Sequence, residues 1–206
     1  MDIIPNEVNK LAGFFKNLPG IGSRQSSRLA FYISHYSVKN LEEISKLIWD
    51  MALHIKICDN CFFVFETDGK KTLCPICSDL ARNHSLICVV ENDTDLITIE
   101  KTGKYKGEYH ILGGLLSNID EAKENKLNIK SLVLKIRKSI QNKEPVSEII
   151  LALNPTSEGY LTSLYLKKLL EPYQIKITQI GVGIPYGGEI EFADPETIKE
   201  AMKRRE

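Results

Sequence analysis

Four cysteines are arranged in two pairs that have the spacing of a metal site. Cys58 and Cys61 enclose two residues, Cys74 and Cys77 do the same, and twelve residues separate the pairs. Each tight turn can present two thiolates to one ion, and two such turns complete a tetrahedral shell with zinc–sulfur distances of about 2.3 Å. Four protein ligands leave no position for water or a substrate. The spacing therefore predicts one structural zinc ion per chain.

Two other interpretations fit the same cysteines: a pair of disulfides, or a redox-active dithiol. Disulfide frameworks are typical of secreted chains. Residues 1–5 do not begin an apolar signal segment. We therefore favour zinc and expect a cytoplasmic protein.

The segment between the two cysteine pairs has the pattern of a short hairpin. Phe62–Phe65 and Lys70–Leu73 flank an Asp68-Gly69 turn, a dipeptide that favours tight reversal of the chain. We expect this hairpin and the metal to form one zinc ribbon.

The overall charge of the chain limits how it could bind a polyanion. Its 206 residues include 27 basic and 27 acidic ones, so the formal net charge is zero. A neutral chain has no global positive field, and a nucleic-acid site must therefore be local or be multiplied by oligomerisation. The longest apolar run falls well short of the roughly 20 residues that span a bilayer, so we expect no membrane partner.

The first quarter of the chain has the periodicity of helices. Apolar residues recur at helical spacing over residues 4–18, 29–36 and 41–55, which predicts three amphipathic helices. Asn40 is followed three residues later by Glu43, and this pair predicts a capping box at the start of the third helix.

Two glycines stand in the connection between the first two predicted helices. Gly20 and Gly22 let the backbone turn tightly, so that its amides face outward at the start of the second helix. Such amides can hold a phosphate, and Arg24 and Arg28, one turn apart, can reach the same stretch of DNA backbone. The pattern predicts DNA contacts at these four residues. The alternative is a plain turn between helices with two solvated arginines.

Strand-like and helical runs alternate over the following hundred residues. This alternation predicts a mainly parallel sheet covered by helices. Ligands bind at the carboxyl ends of such strands, where Glu91, the Asn154–Gly159 turn and the Gly181–Gly188 loop fall. The predicted strands are Ser85–Glu91, Glu108–Leu112, Ser147–Leu153 and Ile175–Gly181, and the predicted helices are Asp93–Thr102, Asn128–Asn142, Glu158–Glu171 and a short tail helix opened by Asp194-Pro195.

The chain resembles a known bacterial family. Leu18-Pro19-Gly20-Ile21-Gly22 before an arginine-bearing helix looks like the helix-hairpin-helix motif, and its place ahead of a four-cysteine module resembles the RecR family of recombination mediators. Ser26 stands where that motif usually has Ala. Four further segments are similar to RecR segments in the same order: Ile87–Glu91, Tyr109–Gly114, Leu153–Gly159 and Gly183–Glu191.

The resemblance implies an α/β protein of several modules. Residues 1–57 would be a helix-hairpin-helix DNA-binding module, 58–82 a zinc finger, 83–181 a Toprim domain, and 182–206 a glycine loop with the C-terminal helix. It also implies a non-enzymatic mediator that binds single- and double-stranded DNA in the cytoplasm, associated with the nucleoid. RecO, RecF and further copies of the chain, in a dimer or a ring-like tetramer, would be its partners.

A metal-dependent Toprim nuclease or nicking enzyme is the main rival interpretation. Toprim enzymes pair a Glu after the first strand with an Asp-x-Asp after a later one, because several carboxylates hold the catalytic cation. Glu91 is present, but the later position reads Asn154-Pro155-Thr156. Asp93 and Asp95 could bind a cation weakly, although we favour helix capping by Asp93 and solvent exposure of Asp95. We therefore expect these acidic residues to form a partner surface. A scaffold without DNA contact is the third possibility.

Overall fold

The structure is a computed structural model that describes residues 3–117, 127–181, 183–184 and 187–203. Val182, Pro185 and Tyr186 of the predicted glycine loop lie outside the described residues. The chain divides into two compact units, residues 1–55 and residues 56–206. Within the described ranges, no helix is both long and apolar enough to cross a bilayer.

The first unit consists of the three predicted helices. They are α1 (Asn6–Lys16), α2 (Ser23–Ser34) and α3 (Val38–His54). Helix α1 packs against α2, and the buried residues of α2 are the small Ser26 and Ala30, which allow the two helices to approach closely.

The predicted capping box at the start of α3 is wrong. The helix begins earlier, and the side chain of Ser37 accepts a hydrogen bond from the backbone N–H of Asn40. Ser37 has an extended backbone conformation and a short side chain that ends in an oxygen, and both are properties of an N-cap residue. Asn40 is therefore inside the first turn.

The second unit begins with a two-stranded ribbon, but its strands are not the predicted ones. Strand β2 (Val64–Glu66) pairs with β1 (Ile55–Ile57), which precedes the first cysteine pair. The predicted hairpin with Lys70–Leu73 is wrong. The carbonyl of Thr72 accepts a hydrogen bond from the N–H of Asp59, so this limb of the chain pairs with the first cysteine turn and not with β2.

A four-stranded parallel sheet forms the centre of the second unit, as the alternation predicts. Its strands are β3 (Asn83–Val90), β4 (Gly107–Ile111), β5 (Glu148–Ala152) and β6 (Lys176–Gln179), in the order β4-β3-β5-β6. The helices are α4 (Asp93–Lys101), α5 (Ile129–Gln141), α6 (Ser157–Leu170) and the tail helix α7 (Pro195–Lys203). The side chain of Asp194 accepts from the N–H of Thr197, so the predicted start of α7 is confirmed.

The two faces of the sheet bury different partners. Successive side chains of a strand point to opposite faces. Ile87 and Val89 of β3 belong to a core cluster with residues of α5 and α6. Cys88 and Val90 belong to a second cluster, which contains Leu96 of α4 and all four cysteines of the metal motif. The cysteine module is therefore part of the core of the second unit.

Candidate metal centre and nucleic-acid interface

The four predicted ligands come together in the fold. The sulfur atoms of Cys58, Cys61, Cys74 and Cys77 lie within 4.8 Å of one another, and all four side chains are buried. The Sγ atoms of Cys61 and Cys74 are 3.6 Å apart, whereas a disulfide requires about 2.05 Å. A tetrahedral zinc shell requires sulfur–sulfur distances of about 3.8 Å. The cluster has the size of a metal shell, and all four cysteines are free thiols.

Backbone hydrogen bonds support a thiolate at Cys58 and at Cys74. The N–H of Cys74 donates to the sulfur of Cys58 at 3.3 Å, and the N–H of Cys77 donates to the sulfur of Cys74 at 3.4 Å. Hydrogen bonds from Cys61 and then Cys77 lower the pKa of the Cys74 thiol, while the hydrogen bond with Cys74 raises the pKa of Cys61, so Cys74 is the thiol that most readily loses its proton when no metal is bound. A thiol that is readily deprotonated is a good ligand for a metal ion.

The metal module is tied to the sheet by contacts between distant residues. The N–H of Ile111 in β4 donates to the carbonyl of Cys61 at 2.9 Å. The side-chain amide of Asn60 donates to Glu108 at 3.3 Å. A metal ion held here would therefore fix the position of the cysteine turns on the sheet.

The three predicted acidic residues each accept a hydrogen bond. Glu91 accepts from the side-chain amide of Asn154 at 2.8 Å, across the carboxyl ends of β3 and β5. Asp93 accepts from the N–H of Val64 at 3.0 Å and thereby holds the cysteine module against α4. Beside Glu91, the side-chain amide of Asn154 therefore occupies the position where a catalytic cation would need a second carboxylate.

The expected capping by Asp93 and the expected solvent exposure of Asp95 are wrong. Asn92 is the N-cap of α4, and Asp95 completes a capping box by accepting from the N–H of Asn92 at 3.2 Å. Asn92 has the extended backbone that a cap requires, whereas Asp93 is already helical. Asp95 is half-buried and not solvent exposed.

Sequence reasoning missed a buried ionic cluster around Glu108. Glu108 is 7% exposed and accepts from His84 at 2.6 Å, from Asn60, and from Lys135 in an ion pair. Burial acts to raise the pKa of Glu108, but the charge and hydrogen bond of Lys135, together with the hydrogen bonds of His84 and Asn60, hold this pKa below its ordinary value. The signal in the sequence was a charged residue at the start of a strand that was predicted to be covered by helices.

The connection between α1 and α2 is a tight turn that leads directly into the first backbone amides of α2. Gly20 has a φ of +77°, which only glycine adopts readily. Gly22 has no such requirement, and a Cβ atom there would meet nothing within 4 Å. No side chain caps the first amides of α2. Neither its backbone conformation nor its packing against the described residues requires glycine at position 22, and this leaves room for a ligand to approach the backbone closely.

Arg24 and Arg28 lie on the exposed surface of α2. Helix α2 contains no acidic residue, and in the described part of the chain neither arginine forms an ion pair. Ser26, the departure from the helix-hairpin-helix pattern, is buried and donates its hydroxyl to the carbonyl of Ser23 at 2.9 Å. The polar group is satisfied within the helix, so the small residue keeps the role that Ala would have.

Comparisons with known proteins agree with this architecture. A Toprim domain model matches residues 85–181, and a model described as RecR, C-terminal, matches residues 183–206. The chain is 41% identical over 198 residues to the recombination protein RecR of Chlorobium limicola, covering 96% of this chain and 95% of that protein. It is 36% identical over 201 residues to the recombination protein RecR of Desulfosudis oleivorans, covering 98% and 96% respectively.

Proposed function

Because the chain belongs to the RecR family of recombination proteins, we propose that it is a non-enzymatic DNA-binding mediator of recombinational repair. It helps to load the recombinase at single-stranded gaps, together with RecO and RecF, in the cytoplasm at the nucleoid. Residues 1–57 contact DNA, residues 58–82 bind the metal, and residues 83–181 with the tail 182–206 form a platform for partners. The observation that carries the proposal is the uncapped start of α2 beside two exposed arginines, which form no ion pair with any residue that the structure describes.

The hairpin is suited to hold phosphate groups. Free amides at a helix start and the positive end of the helix dipole attract an anion. Arg24 and Arg28 add two guanidinium groups one turn apart, each able to form charge-assisted hydrogen bonds. Backbone contacts of this kind position a protein on DNA but carry no sequence information. The proposed binding is therefore independent of sequence.

Zinc is the metal proposed for the cysteine cluster. Four thiolates in a tetrahedral arrangement are typical of structural zinc sites. Cys58, Cys61, Cys74 and Cys77 would hold the ion, and a complete shell of protein ligands would give it a structural role. The ion would supply folding free energy to a module whose own residues form one short strand, Val64–Glu66.

Self-association is part of the proposal. Six apolar side chains of α3 are more than half exposed: Val38, Leu47, Ile48, Trp49, Met51 and Leu53. Exposed apolar surface of this kind marks a protein–protein interface. A neutral subunit with few phosphate contacts binds DNA weakly alone, whereas a dimer or a ring-like tetramer presents several hairpins to the same molecule.

Reversing the charge of both arginines should remove DNA binding without unfolding the protein. We expect Arg24→Glu with Arg28→Glu to weaken binding by about 100-fold, since two charge-assisted contacts are lost. The slope of affinity against salt concentration should fall by about 0.9 for each lost phosphate contact. Fluorescence anisotropy with labelled DNA over a salt series measures both quantities.

A matched control changes the same number of charges elsewhere in the first unit. Lys39 and Lys46 are exposed on α3, and the variant Lys39→Glu with Lys46→Glu should bind DNA almost normally.

Gly22→Ala should weaken binding without loss of stability, because its Cβ has room in the free protein. Equal losses in the arginine and lysine variants would contradict the assignment.

The nuclease interpretation is tested at the Glu91–Asn154 pair. Asn154→Asp should place two carboxylates within hydrogen-bonding distance and destabilise the fold by about 1 kcal/mol. Millimolar Mn²⁺ should restore the stability of this variant, while the unchanged protein and Asn154→Ala should not respond. Thermal unfolding with and without the cation checks this expectation.

Activity assays complete that test. The unchanged protein should neither cleave nor relax supercoiled DNA in the presence of Mg²⁺ or Mn²⁺. Cleavage that co-purifies with the protein and disappears in Glu91→Ala would establish the enzyme in place of the mediator.

A further inference from the structure

The exposed surface of α2 continues past the two arginines with aromatic side chains. Since an α-helix has 3.6 residues per turn, residues 24, 28, 31 and 35 form one narrow stripe, with residue 32 beside it. Phe31 is 39% exposed and Tyr32 is 66% exposed. These residues line a shallow depression of about 580 Å³ together with Ser27.

The Tyr32 ring is held by a residue just beyond the C-terminal end of α2. Tyr36 lies edge-on against Tyr32, with ring centroids 5.4 Å apart and an interplanar angle of 67°. His35 is hydrogen bonded through Nδ1 to the carbonyl of Phe31 at 2.7 Å. The contact with Tyr36 restricts the Tyr32 ring, yet most of that ring stays accessible to solvent. A partly ordered ring loses little side-chain freedom when a ligand covers it.

The charge of this surface selects the kind of ligand. Helix α2 carries two arginines and no acidic residue, so the surface complements a polyanion. Aromatic rings next to cations are the combination by which proteins bind single-stranded nucleic acids, because bases stack on the rings while the cations follow the phosphates. In a duplex the faces of the bases are already covered by their neighbours, and exposed rings would gain little.

We propose that the surface formed by Arg24, Arg28, Phe31 and Tyr32 is a stacking platform for unpaired bases. It gives the hairpin a preference for single-stranded DNA, and it rests on the proposed function because the arginines hold the phosphates. Phe31 and Tyr32 act on bases of any sequence, since every base has a face on which a ring can stack.

The experiment separates base stacking from phosphate contact. The full-length, zinc-loaded protein is titrated into a labelled oligothymidylate and into an abasic oligomer of the same length, and anisotropy gives both affinities. We expect the unchanged protein to prefer the oligothymidylate by about 5-fold or more, the effect of at least one stacked base. Tyr32→Ala should remove most of this preference and leave the affinity for the abasic oligomer unchanged, whereas Tyr32→Phe should keep the preference.

Tyr160 provides a matched control, since it is 65% exposed on α6 in the second unit. Tyr160→Ala should retain the preference for bases. Equal binding of the two oligomers by the unchanged protein would overturn the platform while leaving the proposed DNA binding intact. Two results for Tyr32→Ala would assign the surface to contact between protein chains. One is a loss of affinity that is the same for both oligomers, and the other is a change in the mass of the assembly in sedimentation. Failure of the unchanged protein to bind either oligomer would overturn both proposals.

Discussion

Replacing Cys74 by Ser should abolish metal binding and unfold the cysteine module. The Cys74 sulfur accepts the N–H of Cys77 and lies 3.6 Å from the sulfur of Cys61, so its loss opens the shell and breaks the local network. Structural zinc in small modules supplies apparent binding free energies of about 10 kcal/mol or more. We therefore expect a lower and broader unfolding transition, and the same result after chelation.

The damage should extend into the sheet of the second unit. The four cysteines share a core cluster with Cys88, Val90 and Leu96, and Ile111 of β4 donates to the carbonyl of Cys61. Loss of the ion should therefore raise hydrogen exchange in β3 and β4 as well as around the cysteines. Peptide-resolved hydrogen exchange with and without chelator measures this.

Cys88 is the matched control for the metal prediction. It is also a buried cysteine of the same cluster, 2% exposed, but it lies outside the group of four sulfur atoms. Cys88→Ala should lose some packing and keep one zinc per chain by atomic emission. A purified protein without zinc, or a Cys74→Ser variant with unchanged metal content and melting, would exclude the zinc assignment.

Patterns that depend on local periodicity could be read from the sequence. The four strands of the sheet and helices α4, α5 and α6 were predicted to within two residues at each end, because apolar alternation and helical spacing are set by burial on the faces of one sheet. The cysteine spacing identified the metal cluster because it too is a local pattern: each Cys-x-x-Cys pair forms its own tight turn. The absence of a second carboxylate at Asn154 was also visible directly.

The errors concern partners that are distant along the chain or that compete locally. The hairpin pattern around Asp68-Gly69 gave no sign that β2 would pair with β1. Capping was misassigned twice, at Asn40 and at Asp93, because Ser37 and Asn92 offered equally good caps nearby. The contact of Asp93 with Val64 joins residues 29 positions apart, and no local pattern encodes it.

The cluster around Glu108 was missed for a related reason, and it gives the second large expected effect. Glu108 and Lys135 are 9% and 15% exposed in their side chains, and they come from β4 and α5. Either residue alone in the sequence is an ordinary charged residue. Only the fold places them together, beside a cavity of about 410 Å³ lined by Asn60 and His84.

Lys135→Met should lower the free energy of unfolding by about 3–5 kcal/mol, the cost of leaving one charge of a buried ion pair without its partner. The Glu108 carboxylate would keep its hydrogen bonds with His84 and Asn60 but would lose the positively charged ammonium group of Lys135. Adding Glu108→Gln should recover part of the loss, since the double variant buries no unpaired carboxylate. Lys138→Met, an exposed change on the same helix, should cost less than about 0.5 kcal/mol. Urea unfolding of the zinc-loaded proteins gives these values, and equal stability of the Lys135→Met and Lys138→Met variants would show that the pair contributes no net stabilisation.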